Sequence, residues 1–323
     1  MAIDGEGTAF ELIRVPDGDR SEWLKVRMQG VGGSDVSALM GLSRYKGAYS
    51  LWAEKTGLMH PEDISGSPAV EWGNRLEPLV GEKYRDSHPD RVVRRVNAVC
   101  RSLSRPWAQA SLDYEVHDPD LGWGVLEIKT AGQHSAKDWE DGVPVYYQTQ
   151  VMHYLSVTGR KFADVAVLIA GQDYREYRIW RDESDVEAVD AAVDHFWKMV
   201  ETRTPPEIGG TAGDSRAVFE LSGPQGDDYI SMDFQLVSEW MQARDERDIA
   251  EERLKECANR LKAAIGDSKG MEGSIGRVVW SRGTRKRFDS KRFKKDHEKE
   301  YEEYVTITES DNGLRFYKSK EES

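Results

Sequence analysis

The chain has 323 residues, 38% of them hydrophobic and 32% charged, with 58 acidic against 45 basic side chains and a formal net charge of −13. That length suits one large domain or two of ordinary size with an ample core. No apolar run approaches the ~20 residues of a membrane span, and two cysteines, Cys100 and Cys257, are too few for an iron–sulfur cluster or a structural zinc site.

Met1-Ala2-Ile3-Asp4-Gly5-Glu6 lacks the basic and then apolar order of a secretory signal. With so few thiols, the expected location is a reducing cytoplasm. Residues 1–18 carry little pattern. Asp19-Arg20-Ser21 can cap a helix to about Met28 that half-buries Trp23, Leu24 and Val26. Gly30, Gly32 and Gly33 break it, and Ser34 can cap a short helix over 35–40. Arg27 to Asp35 is thus a glycine turn entering a helix N-terminus, where amide N–H groups attract anions and Ser34 and Arg27 can join them on a phosphate. An ordinary serine cap is the plainer alternative. The loop 41–47 presents Tyr45 between Arg44 and Lys46, to stack on a base or to pack across the loop. A helix over 48–55 follows and stops at Gly57.

The spacing of Trp72, Leu76, Leu79, Val80 and Tyr84 predicts an amphipathic helix over 68–86. Its acid of interest is Glu77, with Gly73 and Gly81 one turn to either side leaving room for a metal. A strand over 91–96 precedes a hairpin of strands 111–116 and 123–130, joined by turn residues 117–122. The hairpin brings Asp113 near Glu127. Glu127 and Lys129, two apart, leave one sheet face while Leu126 and Ile128 point the other way. Two carboxylates beside a lysine suit a hard divalent cation such as magnesium. The lysine can orient an attacking water or balance charge on a phosphorus-bound oxygen, which points to phosphodiester hydrolysis. Taken alone, Glu-x-Lys is a weak signal that reads far more readily as an exposed cross-strand ion pair.

The helix over 145–157 has Val151, Tyr154 and Leu155 as its apolar stripe. Tyr147 and Gln150 share another face, from which Gln150 can position a water or a phosphate. His153 has no other histidine near it and reads as a buried partner rather than a ligand. Strands 162–170 and 174–180 and a helix over 182–203 complete the first region. The glycine-rich 209–214 then reads as a linker, giving domains 1–208 and 209–323. Beyond it come a charged helix over 234–265, with Leu236, Trp240, Leu254 and Leu261 apolar, and short strands at 278–281 and 304–308. Two basic stretches, 91–105 and 282–295, interrupt the acidic surface, and DNA would be admitted only there. Arg285, Lys286 and Arg287 lie in the second. No Gly-x-x-x-x-Gly-Lys-Ser/Thr occurs, so no ATP is expected.

In series, Arg27 with Gly32-Gly33-Ser34-Asp35, Gly73-Asn74-Arg75-Leu76-Glu77-Pro78, Asp113 with Glu127-Ile128-Lys129, and Gln150 resemble the phage recombination exonucleases. These are the lambda-exonuclease-like or YqaJ-type branch of the PD-(D/E)xK nuclease superfamily. Residues 42–46 and 51–57 share the likeness, which covers about 20–203. The resemblance implies an α/β restriction-endonuclease-like core, a mixed central sheet flanked by helices, to which the charged helix and short strands beyond it add a smaller α+β C-terminal region. It implies two magnesium or manganese ions held by Glu77, Asp113, Glu127 and the Ile128 carbonyl, with Lys129 acting on the nucleophilic water and Gln150 in support. Arg27 and Ser34 would hold a terminal 5′-phosphate. The implied activity is 5′→3′ degradation of linear duplex DNA, leaving a 3′ single strand for an annealing protein, from a homo-oligomer that is a trimer in a well-known member. One departure is Tyr114 after Asp113, where glycine is common. Another is the chain beyond about 215, which extends past the exonuclease core. The alternatives are a DNA-end-binding adaptor with a vestigial site and a repair or defence endonuclease of the same superfamily.

Overall fold

A computed structural model describes residues 9–15, 20–64, 66–307, 310–311 and 313–317. Two compact units divide the chain, Met1–Pro224 and Gln225–Ser323. In the first, among the described residues, strands β1 (Phe10–Arg14), β2 (Val92–Arg95), β3 (Ala98–Ser102), β4 (Gln109–Ser111), β5 (Tyr114–Asp118), β6 (Gly122–Ala131), β7 (Phe162–Ile169) and β8 (Asp173–Trp180) are joined by seven α-helices and a short 3-10 helix, Gln133–Trp139. The α-helices are α1 (Arg20–Met28), α2 (Gly33–Leu39), α3 (Ala48–Lys55), α4 (Pro68–Ser87), α5 (Val145–Thr158), α6 (Glu183–Thr202) and α7 (Ala212–Leu221).

Five strands form a mixed sheet in the order β2-β5-β6-β7-β8, with β6 and β7 parallel and the other neighbours antiparallel. A parallel pair needs a crossover, and α5 supplies it between β6 and β7. β7 is apolar at nearly every position and buried on both faces, as a central strand must be. Alternation along β6 splits its side chains between two cores. Leu126 and Ile128 join Val80 and Tyr84 of α4, whereas Val125 joins Val151 and Leu155 of α5. Glu127 and Lys129 share the α5 side.

A second, antiparallel sheet, β1-β3-β4, alters the expected hairpin. The strand expected over 111–116 is two strands. Ser111 pairs with Val99 of β3, and β5 begins only at Tyr114, opposite Leu126. Leu112 and Asp113 are where the chain passes from one sheet to the other. β1 lies in a stretch without sequence pattern, because its partner is supplied from residues 98–102.

Further expectations are corrected. On α4, Val80 and Tyr84 are buried, but Trp72 and Leu79 are 60% and 57% exposed. The turn before α2 ends with Gly32 as N-cap, two residues earlier than Ser34 would have set it; the cap proposed at Asp19 falls outside the described residues. The segment 209–214 is no linker, since Thr211 caps α7 and Asp214 is buried with its carboxylate accepting the Ser50 N–H at 2.8 Å. The first unit accordingly runs on past residue 208. The basic stretch 91–105 is spent internally: Arg91 pairs with Asp118 and Asp164, Arg94 with Glu115, Arg95 with Glu77, and Arg105 with Asp190 and Asp194.

The second unit contains α8 (Phe234–Ile265), the hairpin β9 (Gly270–Gly273) and β10 (Gly276–Val279), α9 (Ser290–Asp296) and α10 (Glu298–Tyr304). The strand expected over 304–308 does not form: Tyr304 ends a helix, and 305–307 have no regular structure. Arg285, Lys286 and Arg287 are exposed on an irregular stretch between β10 and α9.

Candidate active site

Lys129 donates from Nζ to Glu127 Oε1 at 2.6 Å and to Gln150 Oε1 at 3.3 Å. Gln150 reaches them from α5, donating from Nε2 to Glu127 Oε1 at 2.7 Å and to the Tyr154 hydroxyl at 2.8 Å. Tyr147, one turn earlier, lays its ring 4.5 Å from the Lys129 ammonium. The two-residue spacing on β6 and the three-residue spacing on α5 thus place four predicted side chains in one contact network. Glu127 is 2% exposed, and both donors use its Oε1, while Oε2 is buried with no hydrogen-bond partner.

Asp113 enters from the sheet crossover. Its Oδ2 accepts the Ile128 N–H at 2.9 Å, and its own carbonyl accepts the Val96 N–H at 3.1 Å, which fixes the side chain against β6. Glu77 approaches from α4, with Oε1 accepting from Arg95 at 2.9 Å. The flanking glycines act differently from expectation. A Cβ on Gly81 would stand 2.9 Å from the Tyr114 ring, so Gly81 admits that ring, not a metal. This accounts for Tyr114, since a large side chain after Asp113 fits where the facing helix has none. A Cβ on Gly73 would meet only Thr130, at an ordinary 3.6 Å.

The three acids share an electrostatic field. Burial, and then the Asp113 carboxylate, push Glu127 up to about 8 against the pull of Lys129. Burial likewise raises Asp113, opposed by Lys129 and the Ile128 amide. Glu77 is raised by burial and then by Asp113, opposed by Arg95. Burial would lower Lys129, but Glu127 and Asp113 overcome it and raise it. The site therefore holds more buried negative charge than its one lysine offsets. Among the described residues no three metal-ligating side chains close into a finished cage; Arg95 and Lys129 occupy one oxygen each of Glu77 and Glu127. An all-oxygen donor set, surplus negative charge and an unpartnered Glu127 oxygen nevertheless fit a hard divalent cation.

Arg27 and Ser34 are also brought together, with Arg27 Nη2 donating to Ser34 Oγ at 2.9 Å and to Asp35 Oδ1 at 3.0 Å. One cleft of about 840 Å³ is lined by Arg27, Ser34, Lys46, Arg95 and Asp113. Tyr45 is 82% exposed and packs across nothing that would bury it. His153 is fully buried, with Nε2 donating to the Val31 and Gln109 carbonyls at 3.2 and 3.0 Å, so it is a packing histidine. Sequence reasoning missed Arg95, Tyr154 and the pair Asp35 and Lys55. Tyr154 alone carried a signal, standing one turn from Gln150.

Residues 22–161 match the family model described as the YqaJ-like viral recombinase domain. The matched segment makes up less than half of the chain. It contains Arg27, Ser34, Glu77, Asp113, Glu127, Lys129 and Gln150. Over 301 residues the chain is 29% identical to the uncharacterized protein YqaJ of Bacillus subtilis (strain 168), covering 90% of this chain and 92% of that one. An alignment of that length takes in residues of the second unit as well as the segment matched by the family model. Among solved structures, the chain is similar to the alkaline exonuclease LHK-Exo from Laribacter hongkongensis, at 22% identity over 57% of this chain and 93% of that one, with a TM-score of 0.48. It is also similar to a phage-related exonuclease from Haemophilus somnus 129PT, at 14% identity over 54% and 96%, with a TM-score of 0.38.

Proposed function

We propose that the protein is a metal-dependent exonuclease that degrades linear duplex DNA in the 5′→3′ direction. One observation carries this: Glu127 and Lys129 from β6, Asp113 from the sheet crossover and Glu77 from α4 converge on one field, leaving a buried Glu127 oxygen unpartnered. An isolated surface ion pair has no reason to recruit two more acids at such a cost of charge burial. Glu77, Asp113, Glu127 and the Ile128 carbonyl would hold magnesium or manganese, two ions by family resemblance. When bound, the cation supplies Lewis acidity at the scissile phosphate.

The chain's own groups do the rest. Lys129 orients the attacking water and balances charge on the phosphorus-bound oxygens. Gln150 keeps Lys129 and Glu127 in register, and Tyr147 closes the lysine's far side. Arg27 and Ser34 hold the terminal 5′-phosphate at the other part of the cleft, so cleavage begins at an end. Tyr45 offers an exposed ring to a base, and Arg285, Lys286 and Arg287 grip phosphates. The product is a 3′ single strand, passed to an annealing protein, and the working form is a homo-oligomer.

The test incubates purified protein with linear, nicked and covalently closed duplex, with magnesium and with EDTA. Degradation of linear DNA only, abolished by EDTA and restored by magnesium, is expected. Attack on closed circles would make it an endonuclease, and EDTA-resistant cleavage would remove the metal.

A further inference from the structure

Three charged groups that the proposed chemistry does not fully use meet at the cleft wall. Asp35 is 4% exposed, and its two oxygens are divided between two cations. Oδ1 takes Arg27 Nη2 at 3.0 Å, whereas Oδ2 pairs with Lys55 Nζ at 3.0 Å and accepts the Gly32 N–H at 3.1 Å. The Lys55 side chain, 4% exposed, also donates to the Arg27 carbonyl at 2.8 Å. Arg27 is the most open of the three at 28%, and its guanidinium lies 4.9 Å from the Trp23 ring. Lys46, on the same wall, is paired with Glu54 at 2.6 Å.

An arginine bound to a buried carboxylate is a poor ligand for anything else. Turning it toward a phosphate would strand the carboxylate, and an uncompensated buried charge is strongly unfavourable. Here the carboxylate has a second cation of its own. Resting on the assignment of Arg27 and Ser34 to the 5′-phosphate, we propose that Lys55 is a positioning residue that retains Asp35 as its counter-ion, so that Arg27 can be released to a terminal phosphate. The balance of charges agrees, because two cations against one anion leave one positive charge uncompensated beside Ser34. Lys55 also anchors the Arg27 backbone, so the guanidinium swings from a fixed root and loses little freedom on binding.

The geometry distinguishes this from a merely structural ion pair. If Lys55 only stabilised the fold, its loss would slow the enzyme on every DNA end alike. If it frees Arg27, its loss commits Arg27 to Asp35 and specifically erases discrimination between ends. Removing Asp35 as well would then release Arg27 again.

The experiment measures kcat/KM on one linear duplex with 5′-phosphate or 5′-hydroxyl ends, for wild type, Lys55→Met, Lys55→Gln, Lys55→Arg and the double variant Asp35→Asn with Lys55→Met. Each variant is first checked for a cooperative thermal melt. Lys55→Gln keeps a donor for the Arg27 carbonyl and is read in place of Lys55→Met should the latter not fold. The expected result is a phosphate preference that falls on the order of tenfold in the neutral variants, the scale of one charge-assisted hydrogen bond, and that returns in Lys55→Arg and in the double variant. A folded neutral variant with the wild-type ratio would overturn the role of Lys55 while leaving the phosphate site standing. A wild type indifferent to the 5′-phosphate would overturn the phosphate assignment and this inference together.

Discussion

Replacing Lys129 by alanine tests the site most directly, because two of its functions can be separated. In the structure Lys129 Nζ is 2.6 Å from a Glu127 oxygen that is otherwise reached only by Gln150. Its removal leaves a buried carboxylate with Asp113 beside it and one neutral donor, a loss on the order of 3–5 kcal/mol for breaking one side of a buried pair. That loss depends on pH with a definite sign. Glu127 already sits near 8 with the lysine present, and without it the carboxyl rises further. Below that value it takes up a proton and escapes the penalty, so Lys129→Ala should cost least stability in mild acid and most in alkali. Magnesium, by supplying replacement charge, should recover part of the loss. The rate should fall by ~10²–10³ or more, the range for removing one electrostatic interaction with the transition state, while DNA binding changes little. Thermal melts from about pH 6 to 9 with and without magnesium bracket the range over which a carboxyl so raised changes charge. Turnover on linear duplex and fluorescence anisotropy for binding check the other parts. A folded variant turning over at the wild-type rate would remove Lys129 from the mechanism.

Gly81→Ala should destabilise the first unit by about 1–3 kcal/mol, because the new methyl meets the Tyr114 ring in a packed interface; Gly73→Ala, facing only Thr130 at 3.6 Å, is the control, and equal melting temperatures for the two would refute the packing argument. Asp214→Ala should cost about 1–2 kcal/mol, as for a missing helix cap, and should speed hydrogen exchange at Ser50, whose N–H it accepts; protection at Ser50 equal to wild type would contradict it. Neutralising Arg285, Lys286 and Arg287 together should weaken DNA binding and lower the salt slope by up to about 2.7, near 0.9 for each phosphate no longer neutralised; an unchanged slope would reassign the run to a protein partner.

Local periodicity carried much of the fold. The helix expected over 48–55 forms over those residues, and the residues of β6, α5 and α8 fall where apolar spacing and turn chemistry put them. Glu127, Lys129 and Gln150 were legible for the same reason, since each lies on a regular element whose period fixes its face. What could not be read was anything set by a distant partner. β1 becomes a strand only because β3 lies beside it, and the apparent strand through Asp113 divides because Ser111 and Tyr114 answer to different sheets. The basic run 91–105 looked available to DNA because the acids that neutralise most of it, among them Glu115, Asp164, Asp190 and Asp194, are supplied by other elements. Asp35 and Lys55, on separate helices, offered no spacing at all by which to pair them.

The same long-range contacts explain how two parts of the cleft stay in register. Val31, in the turn leading to Ser34, forms a parallel bridge with Ala108 and accepts the Gln109 N–H at 2.9 Å, so the Arg27 and Ser34 end is tied to the chain entering β4. From Ser111 only Leu112 separates that strand from Asp113, which is locked to β6 through the Ile128 amide. A second tie runs through α5. Gly33, next to Ser34, is so close to Tyr154 that a Cβ there would enter its ring, and the Tyr154 hydroxyl accepts from the same Gln150 amide that holds Glu127. Gly33 is therefore required by helix packing more than by approach of an anion, a role the motif alone does not disclose. Two independent, short, covalent or close-packed routes thus fix the position of Ser34 relative to Glu127. Packed interiors yield little to deformation, so an end held at Arg27 and Ser34 would meet the acids at one set distance, which is what stepwise removal of nucleotides from a terminus requires of a single cleft.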